Sequence, residues 1–175
     1  MHARSARLPD AFAIEQLIQV HVGDGTLLPR SLAEICENIR DFVVVEHDNE
    51  IVGCGALHLY GMHLAEVRSI TVTNKAKGKG AGRVLIDALM KEARKQSVTC
   101  VCLFTRIPKF FARLGFHEVE KEKLPDKALK DCVKCSRQHA CDEIAMYRGT
   151  LPKVTARTQR PPAHPPFVQI APLHA

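Results

Sequence analysis

A glycine-rich, basic segment in the middle of the chain has a composition suited to binding an anion. It consists of Lys77, Gly78, Lys79, Gly80, Ala81 and Gly82. Glycines between a strand and a helix let backbone N–H groups turn toward an anion at the positive end of the helix dipole, and the lysines with Arg83 add charge. The segment lacks the Gly-Lys-Ser/Thr of a nucleoside triphosphatase loop and lies too late in the chain for a dinucleotide fold. A tight connection that binds nothing is the alternative interpretation.

A cluster further along the chain has one spacing typical of metal ligands. It consists of Cys132, Cys135, His139 and Cys141. Thiolates at Cys-x2-Cys spacing can share a zinc ion, but strong zinc sites usually carry two separated ligand pairs. Because only one such pair is present, we expect no metal. The cysteines are then either reduced thiols that fix the position of a loop or a redox-sensitive pair. The other cysteines lie in apolar runs and are predicted to be small buried hydrophobic residues: Cys36, Cys54, Cys100 and Cys102.

Length and composition narrow the classes of protein to consider. The chain has 175 residues, 46% hydrophobic and 25% charged, which suits one globular domain. No apolar run approaches the roughly 20 residues of a membrane helix, and the N-terminus lacks a secretory signal, so we expect a cytoplasmic protein without a membrane partner. Seven cysteines is an odd count and argues against a disulfide framework.

Charge and proline are concentrated at the C-terminal end. Residues 152–175 hold six of the ten prolines, three basic residues and no acidic one, so half of the net charge of +6 lies there. Such a segment cannot bury enough apolar surface to offset its ordering entropy and is predicted to be disordered or extended. The remaining charge is too small to predict nucleic-acid binding. The predicted domain is therefore 1–151, followed by a proline-rich tail, 152–175.

Hydrophobic periodicity predicts alternating strands and helices in the domain. Their order, β-α-α-β-β-β-α-β-α-β-β, indicates an α/β or α+β fold with a mixed sheet flanked by helices. A strand predicted from Leu64 to Thr73 enters the glycine-rich segment, and a helix predicted from about Ala81 to Lys95 leaves it. Strict alternation along that strand would place four side chains on one face: Glu66, Arg68, Ile70 and Val72.

Two of these segments together resemble the GNAT acetyltransferases. The glycine-rich segment is similar to the family motif Gln/Arg-x-x-Gly-x-Gly/Ala, with Lys77 in place of the usual Gln or Arg. Residues 110–116, Phe-Phe-Ala-Arg-Leu-Gly-Phe, are similar to the second family motif at the expected distance. The resemblance covers roughly residues 3–148 and implies the GNAT fold with acetyl-CoA as cosubstrate. It implies that acetyl-CoA is bound by Ile70, Thr71, Val72, the glycine-rich segment and Arg83.

Four further segments resemble the short bacterial N-acetylglutamate synthases, which are GNAT enzymes of arginine biosynthesis. They are residues 27–31, 38–42, 52–58 and 64–72. This resemblance implies L-glutamate as the acceptor. Longer members of the group also carry an amino-acid-kinase domain that binds arginine, and a chain of this length has no room for one.

The resemblance also implies roles on the central strand. A backbone N–H from Ile70 to Val72 is expected to meet the thioester carbonyl as a single oxyanion donor, and we assign this catalytic role to Val72. Glu66 is the candidate acceptor of the substrate's ammonium proton, directly or through water, and a carboxylate paired with Arg68 is the alternative. Phe111 stands where many family members have Tyr, so we expect solvent to protonate the leaving thiolate.

Glutamate presents two carboxylates, which guanidinium groups bind bidentately. We therefore predict Arg30 and Arg68 as substrate clamps. Ser31 is a further candidate donor, although Glu34 three residues later favours a helix-capping role for it. Glutamine, another amino acid or a protein N-terminus is the alternative acceptor, and a non-catalytic acyl-CoA-binding module is the alternative class. The sequence leaves the oligomeric state open, with a homodimer as one arrangement.

Overall fold

The computed structural model describes residues 1–124, 126–127, 132 and 140–152. Its strands are β1 (His2–Ser5), β2 (Phe42–His47), β3 (Glu50–Leu59), β4 (Ala65–Val72), β5 (Cys100–Thr105), β6 (His117–Glu118) and β7 (Ile144–Gly149). Its α-helices are α1 (Ala11–Gln19), α2 (Leu32–Glu37), α3 (Ala81–Lys95) and α4 (Pro108–Ala112). This is the predicted element order, and the prediction of a mixed sheet flanked by helices is confirmed.

The strands form one sheet in the order β1-β2-β3-β4-β5-β7-β6. Neighbouring strands run antiparallel except β4 and β5, which are parallel. Their pairing comprises Ala65 with Val101 and Glu66 with Cys102. Because β4 continues to Val72 after its pairing with β5 ends, the sheet opens between its central strands toward the glycine-rich segment.

Helices cover both faces of this sheet. Leu85 and Leu89 of α3 pack with Val43 and Val45 of β2 in one apolar cluster. The second cluster joins α1 and α2 to the other face, through Ile14, Ile18, Ile35, Phe42 and Val44. Successive side chains of β2 thus alternate between the two clusters, as a strand buried on both faces requires. Among the described residues, no helix is long and apolar enough to cross a membrane.

A bulge in β4 makes the predicted alternation wrong beyond Arg68. Ala56 of β3 pairs with Arg68, whereas Cys54 pairs with Thr71, so β4 carries one extra residue. Ser69 takes a left-handed φ of 54° at this point.

The extra residue reverses the faces of the side chains that follow. Ile70 and Val72 pack with Ala65 and Val67 against the α3 cluster. The prediction that Ile70 and Val72 share a face with Glu66 is therefore wrong.

Burial of the cysteines agrees with the prediction for three of the four in apolar runs. Cys54, Cys100 and Cys102 are fully buried, whereas Cys36 is only half-buried. Burial raises the pKa of the Cys54 thiol to about 12 and that of Cys100 to about 11. These thiols are packing groups that stay protonated near neutral pH.

The cysteine cluster is only partly covered by the described residues. Cys132 is half-buried and Cys141 is exposed, whereas Cys135, His139 and the tail from residue 153 onward lie outside the described residues. Within the described part of the chain, no three His, Cys, Asp or Glu side chains are grouped to hold a metal ion. The roles predicted for the cysteine cluster and the extended conformation predicted for the tail therefore stay predictions.

Candidate functional site

The glycine-rich segment connects β4 to α3 and presents backbone to open space. Gly78 and Gly80 take left-handed φ values of 75° and 90°, and Gly80 is the N-cap residue of α3. A Cβ added at either glycine would meet nothing within 4 Å. Because the first N–H groups of an α-helix have no partner inside it, this end of α3 can bind an anion.

The predicted cations around this segment all reach solvent. Lys77, Lys79 and Arg83 are exposed, and Arg83 Nε lies 3.8 Å from Asp87 Oδ2 one turn along α3. Exposed cations beside free backbone donors suit a diphosphate group, which needs both hydrogen-bond donors and positive charge. The segment therefore fits the pyrophosphate of CoA.

The N–H groups of β4 next to this segment point to opposite edges of the strand. Thr73 N–H, just after β4, donates to Val52 O at 2.8 Å, on the β3 side. Because successive N–H groups of a strand alternate in direction, the N–H of Val72 points to the edge that faces β5. This is the edge along which the sheet is open. Thr71 Oγ1, by contrast, is buried without a hydrogen-bond partner among the described residues.

A cleft on the α1–α2 face brings together the two arginines predicted as substrate clamps. Arg30 precedes α2 and Arg68 lies on β4, yet both line this cleft. Its other lining residues are Glu34, Ile35, Asn38, Asp41, Phe42, Ala56 and Ser69. Sequence reasoning missed Glu34, Asn38 and Asp41 as lining residues, although Asn38 and Asp41 lie in a segment that carried the resemblance.

Glu34 contributes both to the cleft and to the start of α2. Its Oε1 lies 3.9 Å from Arg30 Nη1, and its Oε2 accepts the Ser31 N–H at 2.8 Å. Ser31 Oγ in turn accepts the Glu34 N–H at 3.2 Å, which completes a capping box. The Ser31 N–H, with smaller contributions from Arg30 and Arg68, holds the pKa of Glu34 below its ordinary value. Ser31 thus caps α2 and is not among the cleft-lining residues.

Glu66 lies where the pairing of β4 with β5 ends, and only 3% of it is exposed. Tyr60 Oη donates to Glu66 Oε2 at 2.9 Å. Lys127 Nζ lies 2.8 Å from Oε1 and 3.1 Å from Oε2. Glu66 therefore pairs with Lys127 rather than with Arg68, the partner considered from the sequence.

Neither partner of Glu66 was identified from the sequence. Tyr60 directly follows β3, and its N–H closes the turn by donating to Leu64 O at 2.9 Å. Since His58 pairs with Glu66 across β3 and β4, correct hairpin pairing would have placed Tyr60 near that carboxylate. Lys127 comes from the connection between β6 and β7, where no pattern indicated a partner for β4.

Phe111, which the resemblance places where a tyrosine is expected, lies in the apolar core. The residue is 3% exposed and packs with Phe110 and Phe116, at ring-centroid distances of 4.9 and 6.0 Å. This second motif therefore contributes an apolar ring to the core. The phenol beside the candidate base is Tyr60, from a different part of the chain.

Comparison with known proteins identifies the family. Residues 38–118 match the family described as acetyltransferase (GNAT) domain. An uncharacterized N-acetyltransferase of Chlorobaculum tepidum is 40% identical over 145 residues, covering 83% of this chain and 94% of that protein. The chain belongs to the GNAT acetyltransferase family. An amino-acid acetyltransferase of Mycobacterium tuberculosis is 38% identical over 67% of this chain and 68% of that protein.

Solved structures agree with this assignment. A Mycobacterium tuberculosis protein solved in complex with CoA and NLQ superposes with a TM-score of 0.74, at 29% identity, covering 86% of this chain and all of that one. The N-acetylglutamate synthase of Neisseria gonorrhoeae, solved with coenzyme A and N-acetyl-glutamate, gives 0.76 at 25% identity, over 86% of this chain and 35% of that one. The GNAT chain described here is an acetyltransferase related to short amino-acid acetyltransferases, and acetyl-CoA is its cosubstrate.

Proposed function

We propose that this acetyltransferase transfers the acetyl group of acetyl-CoA to the α-amine of L-glutamate and thereby performs the first step of arginine biosynthesis. The observation that carries the proposal is the convergence of Arg30 and Arg68 on one cleft. Two guanidinium groups match the two carboxylates of glutamate. The amino-acid acetyltransferase relatives and the neighbour solved with N-acetyl-glutamate support the same acceptor class. Such an enzyme would act in the cytoplasm, and a homodimer stays a prediction.

Each part of the site has a task in this reaction. The backbone N–H groups at the start of α3, with Lys77 and Lys79, hold the pyrophosphate. Acetyl-CoA supplies the acetyl group as a thioester, and the Val72 N–H on the open edge of β4 is suited to polarise a carbonyl there. Glu66 accepts the proton that the acceptor ammonium must lose before it attacks, directly or through water. Solvent protonates the leaving thiolate, and no covalent enzyme intermediate forms.

Glutamine is the second candidate acceptor, because the cleft is less basic than two arginines alone would make it. Glu34 and Asp41 balance the formal charge of Arg30 and Arg68, and Asn38 adds an amide. A neutral side-chain amide needs hydrogen-bond partners of both kinds, which Asn38 with Asp41 can supply. Glutamate would instead have to approach two carboxylates while it binds the arginines.

Thiol release from acetyl-CoA, measured across a panel of amines, tests the proposal. The panel contains L-glutamate, L-glutamine, other amino acids and a peptide with a free N-terminus. The expected result is the highest kcat/KM with L-glutamate. Turnover with another amine alone would contradict the glutamate assignment. The highest kcat/KM with L-glutamine would favour the second candidate. CoA binding without turnover of any amine would favour the non-catalytic module.

A further inference from the structure

Lys127 places an amine of the chain itself against the carboxylate proposed as the general base. Its Nζ lies 2.8 Å from Glu66 Oε1 and 3.1 Å from Oε2, and its side chain is 15% exposed. A general base acts on a group within hydrogen-bond reach, about 2.6–3.2 Å. In an enzyme that acetylates amines, Lys127 therefore already meets the distance that an acceptor amine has to meet.

The surroundings hold this amine at the opening of the sheet. Glu66 is the last β4 residue paired with β5, and Tyr60 fixes its carboxylate by donating to Oε2. On the β5 side, Lys127 Nζ lies 5.5 Å from the centroid of the Phe104 ring. The pair thus stands where β4 and β5 separate, at one end of the opening that follows β4 to the glycine-rich segment.

We propose that Lys127 is a site of self-acetylation by acetyl-CoA. Glu66 takes a proton from the Lys127 ammonium, directly or through water, and Nζ attacks the thioester carbonyl. The new N–C amide bond forms as the C–S bond breaks. The nitrogen then loses its second proton to solvent and the CoA thiolate takes a proton from solvent, so no oxidation or reduction occurs. The acetylated side chain is neutral and no longer pairs with Glu66, which leaves the carboxylate to an external amine. The proposal rests on the role of Glu66 in the proposed function, not on the identity of the acceptor.

The test uses the full chain, incubated with acetyl-CoA that carries an isotope-labelled acetyl group, in the absence of any amino acid. Mass spectrometry of its peptides then gives the labelling rate at each lysine. Lys121 is the matched control, because its Nζ lies 5.9 Å from the same Phe104 ring centroid but donates to Cys141 Sγ at 3.1 Å. Lys127 is expected to be labelled at least about tenfold faster than Lys121.

Variants separate catalysed labelling from spontaneous acetylation. Glu66→Gln is expected to slow labelling of Lys127 by about 100-fold and to leave Lys121 unchanged, whereas Lys121→Arg leaves Lys127 labelling intact. Equal rates at the two lysines of the wild type would overturn the proposal even if Glu66→Gln failed to fold. Labelling of Lys127 that persists in a folded Glu66→Gln protein would also overturn it.

The outcome is independent of the acceptor assay. Turnover of glutamate without labelling of Lys127 overturns self-acetylation and leaves the proposed function intact. Labelling of Lys127 without turnover of any amino acid supports self-acetylation and overturns the proposed acceptor.

Discussion

The glycine-rich segment and the arginine cleft both suit anions, but they are built in different ways. The segment uses backbone N–H groups at the start of α3, with Lys77 and Lys79 exposed beside them. The cleft draws Arg30 from before α2 and Arg68 from β4, and sets Glu34 3.9 Å from Arg30. The proposed donor site thus relies on backbone conformation, whereas the proposed acceptor site relies on particular side chains.

This difference has a consequence for how each region responds to substitution. Backbone donors persist whatever side chain a residue carries, so the segment is sensitive to changes in φ and tolerant of the loss of one exposed cation. A guanidinium group that meets a carboxylate is not replaceable in this way, because removing it leaves the partner charge unpaired. Substitutions in the glycine-rich segment should therefore change KM for acetyl-CoA, whereas substitutions in the cleft should change KM for the acceptor.

The largest effect is expected at Glu66, the proposed general base, which lies on β4 at the end of its pairing with β5. Glu66→Gln should lower kcat/KM by about 100-fold or more, because the amide cannot accept the ammonium proton. The dissociation constant of acetyl-CoA, measured by calorimetry, should not change. Tyr60→Phe is the matched control: it removes one donor to the carboxylate but keeps the carboxylate itself, and should lose about 1.5–3 kcal/mol of stability. A parallel loss of acetyl-CoA binding in Glu66→Gln would indicate a structural role instead.

A pair of arginine variants tests the comparison directly. Arg30→Ala should raise KM for the acceptor by about tenfold to 100-fold, which corresponds to loss of a charge-assisted hydrogen bond, and should leave KM for acetyl-CoA unchanged. Arg83→Ala, at an exposed position of α3, should raise KM for acetyl-CoA by less than about fivefold. Steady-state kinetics with each substrate varied in turn give both values. If Arg30→Ala raises KM for the acceptor and KM for acetyl-CoA equally, Arg30 is not a substrate clamp.

A glycine variant tests whether the donor region depends on backbone conformation. Gly80→Ala should lose about 1–2 kcal/mol of unfolding free energy, because a Cβ is disfavoured at a left-handed residue, and should raise KM for acetyl-CoA. Gly23→Ala is the control, since a Cβ there also meets open space but no positive φ is required. Urea unfolding of both variants gives the comparison. Equal stability of the two would argue against a constrained turn at Gly80.

The smallest effect is expected at Phe111. Phe111→Tyr should change kcat by less than about twofold, because solvent is proposed to protonate the thiolate. Burial of the new hydroxyl in the apolar core should lower stability by about 1–3 kcal/mol. A pH–rate profile and a thermal melt measure the two effects. A large rise in kcat with a new limb at high pH would show that the missing phenol limits the reaction.

Local sequence patterns predicted the helices and strands correctly, but they did not predict which face of β4 every side chain occupies. The periodicity around residues 81–95 predicted α3 with the observed bounds, because an amphipathic helix of this length repeats its signal over several turns. The faces of Ile70 and Val72 were predicted wrongly, because the bulge at Ser69 adds one residue without any change in the apolar pattern. A prediction based on strict alternation cannot detect such an insertion.

The sequence by itself determined the donor region, because a strand, a glycine-rich turn and a helix start are contiguous in the chain and their chemistry is that of the backbone. It also supplied the residue types and predicted positions from which Arg30, Arg68 and Glu66 were proposed as site residues. Only the tertiary structure decided which side chains meet. Tyr60 and Lys127 reach Glu66 from separate connections, and the two arginines share a cleft that residues of α2, β3 and β4 line together. Such contacts depend on the packing of distant segments, for which residue spacing carries no signal.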